Sequence, residues 1–330
     1  MRVHSSAPTR LDLAGGTLDI WPLYLFHDGA QTINAAINLR AECTLSESND
    51  ACLHIISEDT GKSFNSADWT TLTGKEEPRL ITEILRFFKA ERLTVVTRSA
   101  SPVGAGLAGS SALNIALCGA LSRWQNRSYS SEEIINLALN LEARVLRIPT
   151  GVQDYRPAMY GGLASIELGP LGVRRTLLTS NLKELEKRIT LIHTGISRNS
   201  GINNWEITKR YLDGDLEVIA LFDQLCNIAT LMRQALEQKD WPNVGRQIAA
   251  EWEARKCLTR TVSTPAIDKL IDNGINAGAQ AAKICGAGGG GCILFYAEPD
   301  ALSAVKKELA DTALVLNFSL DNNGLCVDAG

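Results

Sequence analysis

The chain has 330 residues, of which 45% are hydrophobic, and its formal net charge at pH 7 is −4. This length and apolar content are enough to bury a sizeable core, and they favour two domains over one. Because the balance is acidic and the sequence has no long basic run, nucleic acid and anionic membranes are unexpected partners, and a small molecule is the expected ligand.

The cysteines and histidines indicate neither a disulfide framework nor a metal centre. The eight cysteines include no Cys-x-x-Cys pair, and the four histidines share no ligand spacing. This pattern is typical of reduced thiols in a cytosolic protein and argues against a zinc site. The first residues lack the apolar core of a signal peptide, and no run approaches the roughly 20 apolar residues of a membrane span. We therefore expect a cytoplasmic protein without a membrane segment.

The first hundred residues are predicted to be rich in β-structure. Brief alternation predicts a short strand that ends in a turn at Gly15 and Gly16, followed by strands within residues 30–45 and 51–56. A helix over 82–89 and a strand over 93–97 come next. That strand leads into a glycine-rich segment.

The segment Pro102–Leu113 joins this strand to a predicted helix over 113–124 with almost no side chains. Its glycines let the backbone approach an anion closely, and the following helix points free N–H groups at the same place. Ser110 and Ser111 fall in the first helical turn, where a hydroxyl can cap the helix or reach a metal held by phosphates. A phosphate-binding loop is predicted, although Gly104-x-Gly106-x-x-Gly109 also fits a dinucleotide fingerprint or a structural turn.

Glu142 is the most informative carboxylate in the sequence. It lies beside the apolar stripe of a helix that begins with a capping box at Ser130 and Glu133 and is stopped by Pro149. No cation occupies the positions three or four residues away, so the helix offers Glu142 no ion pair. A Mg²⁺ ion shared with Ser111 would satisfy it, and a salt bridge to a distant arginine is the alternative.

Two aspartates fall in glycine-containing loops, where a side chain can point into a cleft. Asp154 lies in the predicted loop 150–160, which precedes a strand over 163–168, and could accept or orient a substrate hydroxyl. Asp19 follows Gly15 and Gly16 and could bind sugar-type hydroxyls. Either could equally be a turn-forming residue.

The C-terminal half alternates helices with a few strands. Periodicity predicts helices over 215–238, 241–258 and 264–277 and strands over 190–193, 281–284, 292–296 and 313–318. We therefore expect an α+β fold of two domains, at residues 1–185 and 186–330.

A second glycine segment, Gly286–Gly291, follows Lys283 and lies between two of these strands. Consecutive glycines cost backbone entropy, so close approach to a ligand or to the first loop is expected, with a flexible hairpin tip as the alternative. By contrast, Gly61-Lys62-Ser63 only resembles the end of a P-loop, because Ile56 stands where that motif needs glycine and no helix pattern follows.

Together, the segments 7–19, 102–113 and 286–291 resemble the galactokinase, homoserine kinase, mevalonate kinase and phosphomevalonate kinase (GHMP kinase) superfamily over essentially the whole chain. The resemblance implies an N-terminal domain similar to ribosomal protein S5 domain 2, a ferredoxin-like C-terminal domain and ATP at the glycine loop.

Within the superfamily, the chain looks like the D-glycero-D-manno-heptose 7-phosphate kinase branch, which is close to the fucokinases and phosphorylates an anomeric hydroxyl. Asp12 departs from that branch's pattern, because a small residue is usual there, and the segments around Asp19 and Asp154 also differ, which implies an altered acceptor pocket. The resemblance implies catalytic roles for Asp154 and Arg10, Mg²⁺ binding by Ser111 and Glu142, ATP binding by Pro102, Gly104, Ala105, Gly106, Leu107, Ala108, Gly109, Ser110 and Ser111, and substrate binding by Asp19, Gly15, Gly16, Arg198, Gly286, Gly288 and Gly289.

Two other functions remain open at the level of sequence. A dinucleotide-dependent oxidoreductase would need a strand that ends in an acidic residue about 20 residues after the glycines, where Glu132 and Glu133 open a helix instead. A non-catalytic regulator that binds a nucleotide or sugar would not need Ser111, Glu142 and Asp154 together.

Overall fold

The computed structural model describes residues 1–72, 78–196 and 201–330, and at 201–203 it gives only the helical course of the backbone. In this part of the chain one sheet contains eight strands, in the order β12-β1-β2-β5-β3-β4, with β6 beside β2 and β7 beside β6. All of its pairs are antiparallel except β3–β5. Its strands are β1 (Arg2–Ala14), β2 (Gln31–Glu47), β3 (Leu53–Ser57), β4 (Lys62–Ser66), β5 (Leu93–Ser99), β6 (Leu163–Gly169), β7 (Gly172–Leu177) and β12 (Cys326–Ala329).

The second sheet is antiparallel and has the strand order β11-β8-β10-β9. Its strands are β8 (Ile189–His193), β9 (Ala281–Ile284), β10 (Cys292–Tyr296) and β11 (Leu314–Leu316). The helices are α1 (Arg79–Phe88), α2 (Gly109–Trp124), α3 (Ser131–Leu146), α4 (Tyr155–Tyr160), α5 (Leu182–Glu186), α6 (Gly201–Leu212), α7 (Leu216–Gln238), α8 (Trp241–Leu258), α9 (Pro265–Asn276) and α10 (Pro299–Ala310). Within the described residues, no helix is both long enough and apolar enough to cross a bilayer.

Most elements lie close to their predicted positions. The capping box of α3 forms as predicted, because the Ser130 hydroxyl accepts from the Glu133 amide and the Glu133 carboxylate accepts from the Ser130 amide. The prediction of a loop over 150–160 is wrong in its second half, which forms α4. Burial of Tyr155 and its hydrogen bond to Glu142 stabilise this short helix, and neither is visible in local periodicity. The helices α6 and α10 and the strands β4, β7 and β12 were also not predicted.

The expected boundary between residues 185 and 186 falls at the end of α5, just before the second sheet begins. The C-terminal strand β12 nevertheless returns to the first sheet, where Val3 pairs with Ala329 and Ser6 with Cys326. The two halves of the chain are thus joined by β-pairing as well as by side-chain packing.

The helix that follows the glycine loop, α2, packs against several other elements. It packs against β1, β2 and α3, and its interior positions from Ala112 to Leu121 are nearly all buried. The Arg10 amide donates to the Leu107 carbonyl, which ties the glycine loop to β1. The loop is therefore held on a rigid support.

The two glycine segments contact each other directly. A Cβ on Gly106 would lie 2.2 Å from the Cys285 carbonyl oxygen, and a Cβ on Gly291 would lie 2.7 Å from that of Gly104. The Cys292 amide also donates to the Ala105 carbonyl at 2.8 Å. The predicted approach of the second segment to the first loop is therefore confirmed at these positions.

The glycines of the first loop make a matched pair for a stability test. Gly106 has a φ of 76° and a backbone neighbour that cannot move aside, whereas a Cβ on Gly109 would meet its nearest atom at 3.7 Å. We predict that Gly106→Ala lowers the free energy of unfolding by roughly 2–4 kcal/mol, and that Gly109→Ala changes it by less than about 1 kcal/mol. Denaturant unfolding measures both, and equal losses would contradict the proposed contact.

Candidate active site between the two glycine segments

A cavity of about 480 Å³ lies where the glycine loop, β1, α3, α4 and α8 converge. Every predicted residue of the loop from Pro102 to Ser111 lines it, together with Arg10, Asp19, Glu142, Asp154 and Gly286. The structure therefore brings together side chains that are far apart in the sequence.

The glycine loop presents its backbone and a helix end to this cavity. Gly104 and Gly106 adopt positive φ angles of 71° and 76°, and Ala108 at the N-cap of α2 is also left-handed, with a φ of 62°. The N-cap residue Ala108 has no side chain that could cap the helix, and the first residues of α2 line the cavity. A helix N-terminus of this kind attracts phosphate.

Glu142 belongs to α3 and lies beside the N-terminal end of α2, which faces the cavity. The residue is 5% exposed. Its carboxylate accepts hydrogen bonds from the Ser110 hydroxyl at 2.6 Å, the Ser111 hydroxyl at 3.0 Å and the Tyr155 hydroxyl at 2.8 Å. Burial raises the pKa of Glu142, and these hydrogen bonds oppose the rise. The arginine salt bridge considered as an alternative is not found among the described residues, and three hydroxyls take its place.

Tyr155 is a functional candidate that the sequence analysis missed. Its side chain is 2% exposed, and its hydroxyl reaches the same carboxylate oxygen as Ser111. The only sequence signal was its position directly after Asp154.

Arg10 and Asp154 form an ion pair in the wall of the cavity. Arg10 Nε and Nη2 both donate to Asp154 Oδ1, at 2.9 and 2.7 Å, and Nη1 donates to the Gly106 carbonyl at 2.7 Å. Burial by itself lowers the pKa of a guanidinium, but the charge of Asp154 raises the pKa of Arg10 above its ordinary value. The side chain of Arg10 is 4% exposed and that of Asp154 is 27% exposed, so the carboxylate is the accessible member of the pair.

Asp19 lines the same cavity, and its hydrogen-bond partners among the described residues are amides. The Gln153 backbone amide donates to its Oδ2 at 3.0 Å, and the Gln153 side chain donates to its Oδ1 at 3.4 Å. Burial and the nearby charge of Asp154 raise the pKa of Asp19 to about 7, against the effect of the Gln153 amide. Gly151 is required here, because a Cβ would lie 2.0 Å from Asp19 Oδ2.

The remaining predicted substrate residues lie in different places. Gly286 lines the cavity, whereas Gly288 and Gly289 pack toward Val262 and Thr261. Gly15 and Gly16 form the turn behind Asp19 and are not part of the described lining. Arg198 lies outside the described residues.

Two further charged residues of the lining, Asp12 and Arg255, were not predicted as site residues. Arg255 Nη2 donates to Asp12 Oδ2 at 2.9 Å, and Arg255 Nη1 donates to the Gly286 carbonyl at 2.8 Å. Burial alone raises the pKa of an aspartate, but the charges of Lys283 and Arg255 lower the pKa of Asp12. Helical spacing placed Arg255 on α8 but carried no information about a partner on β1.

Family models match both halves of the chain. The model of the GHMP kinases N terminal domain matches residues 79–162, and that of the GHMP kinases C terminal domain matches residues 232–313, which together span just over half of the chain. The chain belongs to the GHMP kinase family. The predicted α+β fold is thereby confirmed, with its ribosomal protein S5 domain 2-like and ferredoxin-like domains.

Several relatives are similar to this kinase along its whole length. The D-glycero-alpha-D-manno-heptose 7-phosphate kinase of Campylobacter jejuni is 28% identical over 98% of both chains. The crystal structure of a D-glycero-D-manno-heptose 1-phosphate kinase from Bacteroides thetaiotaomicron superposes with a TM-score of 0.81 at 25% identity, over 99% of both chains. The bifunctional fucokinase/GDP-fucose pyrophosphorylase of Arabidopsis thaliana is 25% identical over 99% of this chain and 33% of that longer protein.

The dinucleotide-binding alternative is wrong. Its fingerprint requires a strand directly after the helix that follows the glycines, but here α2 is followed by α3. The glycine loop therefore belongs to a kinase fold.

The raised pKa of Asp19 predicts a pH-dependent effect on stability. The native carboxyl keeps its proton up to a pH of about 7, whereas in the unfolded chain it loses the proton near a pH of about 4. Between these values the unfolded state binds fewer protons, so the contribution of Asp19 to stability falls as pH rises.

We expect Asp19→Asn to gain stability relative to wild type from about pH 4 to about pH 7, by about 3–4 kcal/mol at most, with a constant difference above that range. Denaturant unfolding of both proteins, without ligands and at several pH values, measures this difference in the free energy of unfolding. The contributions of the other titrating groups are the same in both proteins and cancel. A difference that does not change with pH would contradict the assignment.

Proposed function

We propose that this GHMP kinase transfers the γ-phosphoryl group of ATP to a hydroxyl of a sugar or sugar phosphate. The first candidate is the anomeric hydroxyl of an acceptor like heptose 7-phosphate. The observation that carries the proposal is the Arg10–Asp154 ion pair beside the glycine loop, with Glu142 and Ser111 at the start of α2. This arrangement combines an anion cradle, a cation for a transferring phosphoryl group and a carboxylate for the attacking hydroxyl.

The carboxylate and hydroxyls at the start of α2 fit a magnesium ion. Glu142 is buried and has no ion-pair partner among the described residues. Its carboxylate and the serine hydroxyls are hard oxygen donors, which are the ligands that Mg²⁺ prefers. Among the described residues, no group of three His, Cys, Asp or Glu side chains could hold a metal ion. Ser111 and Glu142 would therefore hold Mg²⁺ together with nucleotide phosphates, and the ion would neutralise phosphate charge.

The protein's own residues would then perform distinct tasks. Backbone N–H groups within residues 103–111 bind phosphate oxygens, and Arg10 offsets charge on the phosphoryl group that moves. Asp154 is held in one orientation by Arg10 and accepts a hydrogen bond from the acceptor hydroxyl, either as the base or to align it. Asp19 is available for other hydroxyls of the acceptor, because among the described residues no cation lies within hydrogen-bonding distance of its carboxyl group.

The choice of acceptor rests on the relatives. The names of full-length relatives point to heptose phosphates and mevalonate, and a relative that shares one region of a longer protein points to fucose. Arg198 is the proposed residue for a phosphate on the acceptor. We also propose domains at residues 1–185 and 186–330 and a cytoplasmic location.

A panel of acceptors tests this function. The protein is incubated with labelled ATP, Mg²⁺ and D-glycero-D-manno-heptose 7-phosphate, the unphosphorylated heptose, L-fucose, D-galactose or mevalonate. Phosphorylation of a sugar or sugar phosphate at its anomeric hydroxyl is the expected result. Nucleotide binding without phosphotransfer to any member would favour the non-catalytic regulator instead.

Asp154→Asn tests the role of the accessible carboxylate. We expect kcat to fall about 10²–10⁴-fold, because the amide cannot accept the proton, while the KM for ATP changes little. Steady-state kinetics with the best acceptor of the panel measures this change. Asp213→Asn is the matched control, since Asp213 is exposed, pairs with Lys209 and is outside the cavity lining. Equal activity of Asp154→Asn and wild type would refute the assignment.

Glu142→Gln tests the metal site while keeping the shape of the side chain. We expect the Mg²⁺ concentration for half-maximal activity to rise roughly 10–100-fold, because the buried negative charge is lost. Magnesium titrations at fixed ATP measure the shift. Glu132→Gln on the same helix is the control, because Glu132 contacts Arg156 and Tyr160 instead. An unchanged magnesium dependence would place the metal elsewhere.

A further inference from the structure

Four buried charged side chains form a cluster at the Asp19 end of the cavity, and two of them, Asp12 and Arg255, line it. Asp12 comes from β1, Glu251 and Arg255 from α8, and Lys283 from β9, and each side chain is at most 3% exposed. Lys283 Nζ lies 3.0 Å from Glu251 Oε2 and 3.6 Å from Asp12 Oδ1. These four residues, here called the quartet, join the two halves of the chain.

The quartet is electrically balanced. Two carboxylates face two cations, and each cation lies near both acids. Arg255 donates through Nε to Glu251 at 2.8 Å and through Nη2 to Asp12 at 2.9 Å. A buried ion pair is a weak source of stability, but an unpaired buried charge is costly. Removing any one member therefore leaves a charge that the other three cannot neutralise.

The Asp12–Arg255 contact reaches two backbone segments of the site. A Cβ on Gly16 would lie 2.0 Å from Asp12 Oδ2 and 2.1 Å from Arg255 Nη2, so the turn before Asp19 rests directly on this pair. On the other side, Arg255 Nη1 binds the Gly286 carbonyl, and both Arg255 and Gly286 line the cavity. A shift of the guanidinium would move the turn that carries Asp19 and the start of the second glycine segment.

We propose that Asp12 is a positioning residue for the acceptor: it holds the Arg255 guanidinium in the pose that supports the Gly16 turn and Gly286, while Glu251 and Lys283 balance the charge. This inference rests on the proposed function, in which the acceptor binds at the Asp19 end. The glycine loop, where nucleotide is proposed to bind, makes no direct contact with Asp12 in the described hydrogen bonds and ion pairs.

Asp12→Asn separates positioning from general destabilisation. We expect the KM for the best acceptor of the panel to rise about tenfold and the KM for ATP to change by less than about twofold. Asp321→Asn is the control, because it breaks an ion pair with Arg40 that is outside the described cavity lining. The control should lose thermal stability while leaving both KM values unchanged. If Asp12→Asn changes both KM values equally or neither, Asp12 is merely structural and the proposal is wrong.

A double-mutant cycle tests the quartet without any acceptor. Asp12→Asn and Lys283→Met each leave one unbalanced charge, whereas the double variant is neutral again. We expect the decrease in Tm of the double variant to be smaller than the sum of the decreases in the two single variants. Additive losses would overturn the coupling even if the kinase activity is confirmed. Coupling without phosphotransfer would leave the quartet in place but refute the proposed function, and with it the acceptor role of Asp12. If Asp12→Asn does not fold, Glu251→Gln, which acts on the same guanidinium, carries the same KM comparison.

Discussion

Direct packing of backbone against backbone holds this site together. The carbonyl of Cys285 occupies the space that a side chain on Gly106 would fill, and the Cys292 amide binds the carbonyl of Ala105. Such contact leaves no room for a Cβ, so it needs glycine in both segments. Because α2 is buried in the first half and β10 belongs to the second sheet, this contact fixes the glycine loop relative to the C-terminal half.

Four of the carboxylates around the cavity are stabilised in different ways, and the differences suggest their tasks. Glu142 is bound by hydroxyls, which a metal ion can share, whereas Asp154 is held by an arginine and keeps an exposed face. Asp12 is neutralised inside the quartet. Among the described residues Asp19 has amide partners alone, and it is the acid whose pKa rises to about 7. A buried carboxylate with spare acceptor capacity suits the hydroxyls of a polar acceptor.

Local signals in the sequence were enough for several of these elements. The glycine loop, its two serines and the capping box of α3 are contiguous patterns whose physics acts within a few residues. Glu142 could also be singled out, because the lack of a cation at helical spacing is a local fact. The partners were not predictable in this way. Arg10 and Asp154 are 144 residues apart, and the sequence contains nothing that measures their distance.

The sequence by itself therefore determined the glycine loop, most of the helices and strands, and the residues for which catalytic roles are proposed. Only the tertiary structure decided that Tyr155 joins Ser110 and Ser111 on Glu142, that α4 forms, and that Asp12 meets Arg255 from the other half of the chain. The physical reason is that backbone propensity and capping act over a few residues, whereas the neutralisation of a buried charge depends on whichever side chain the fold brings to it.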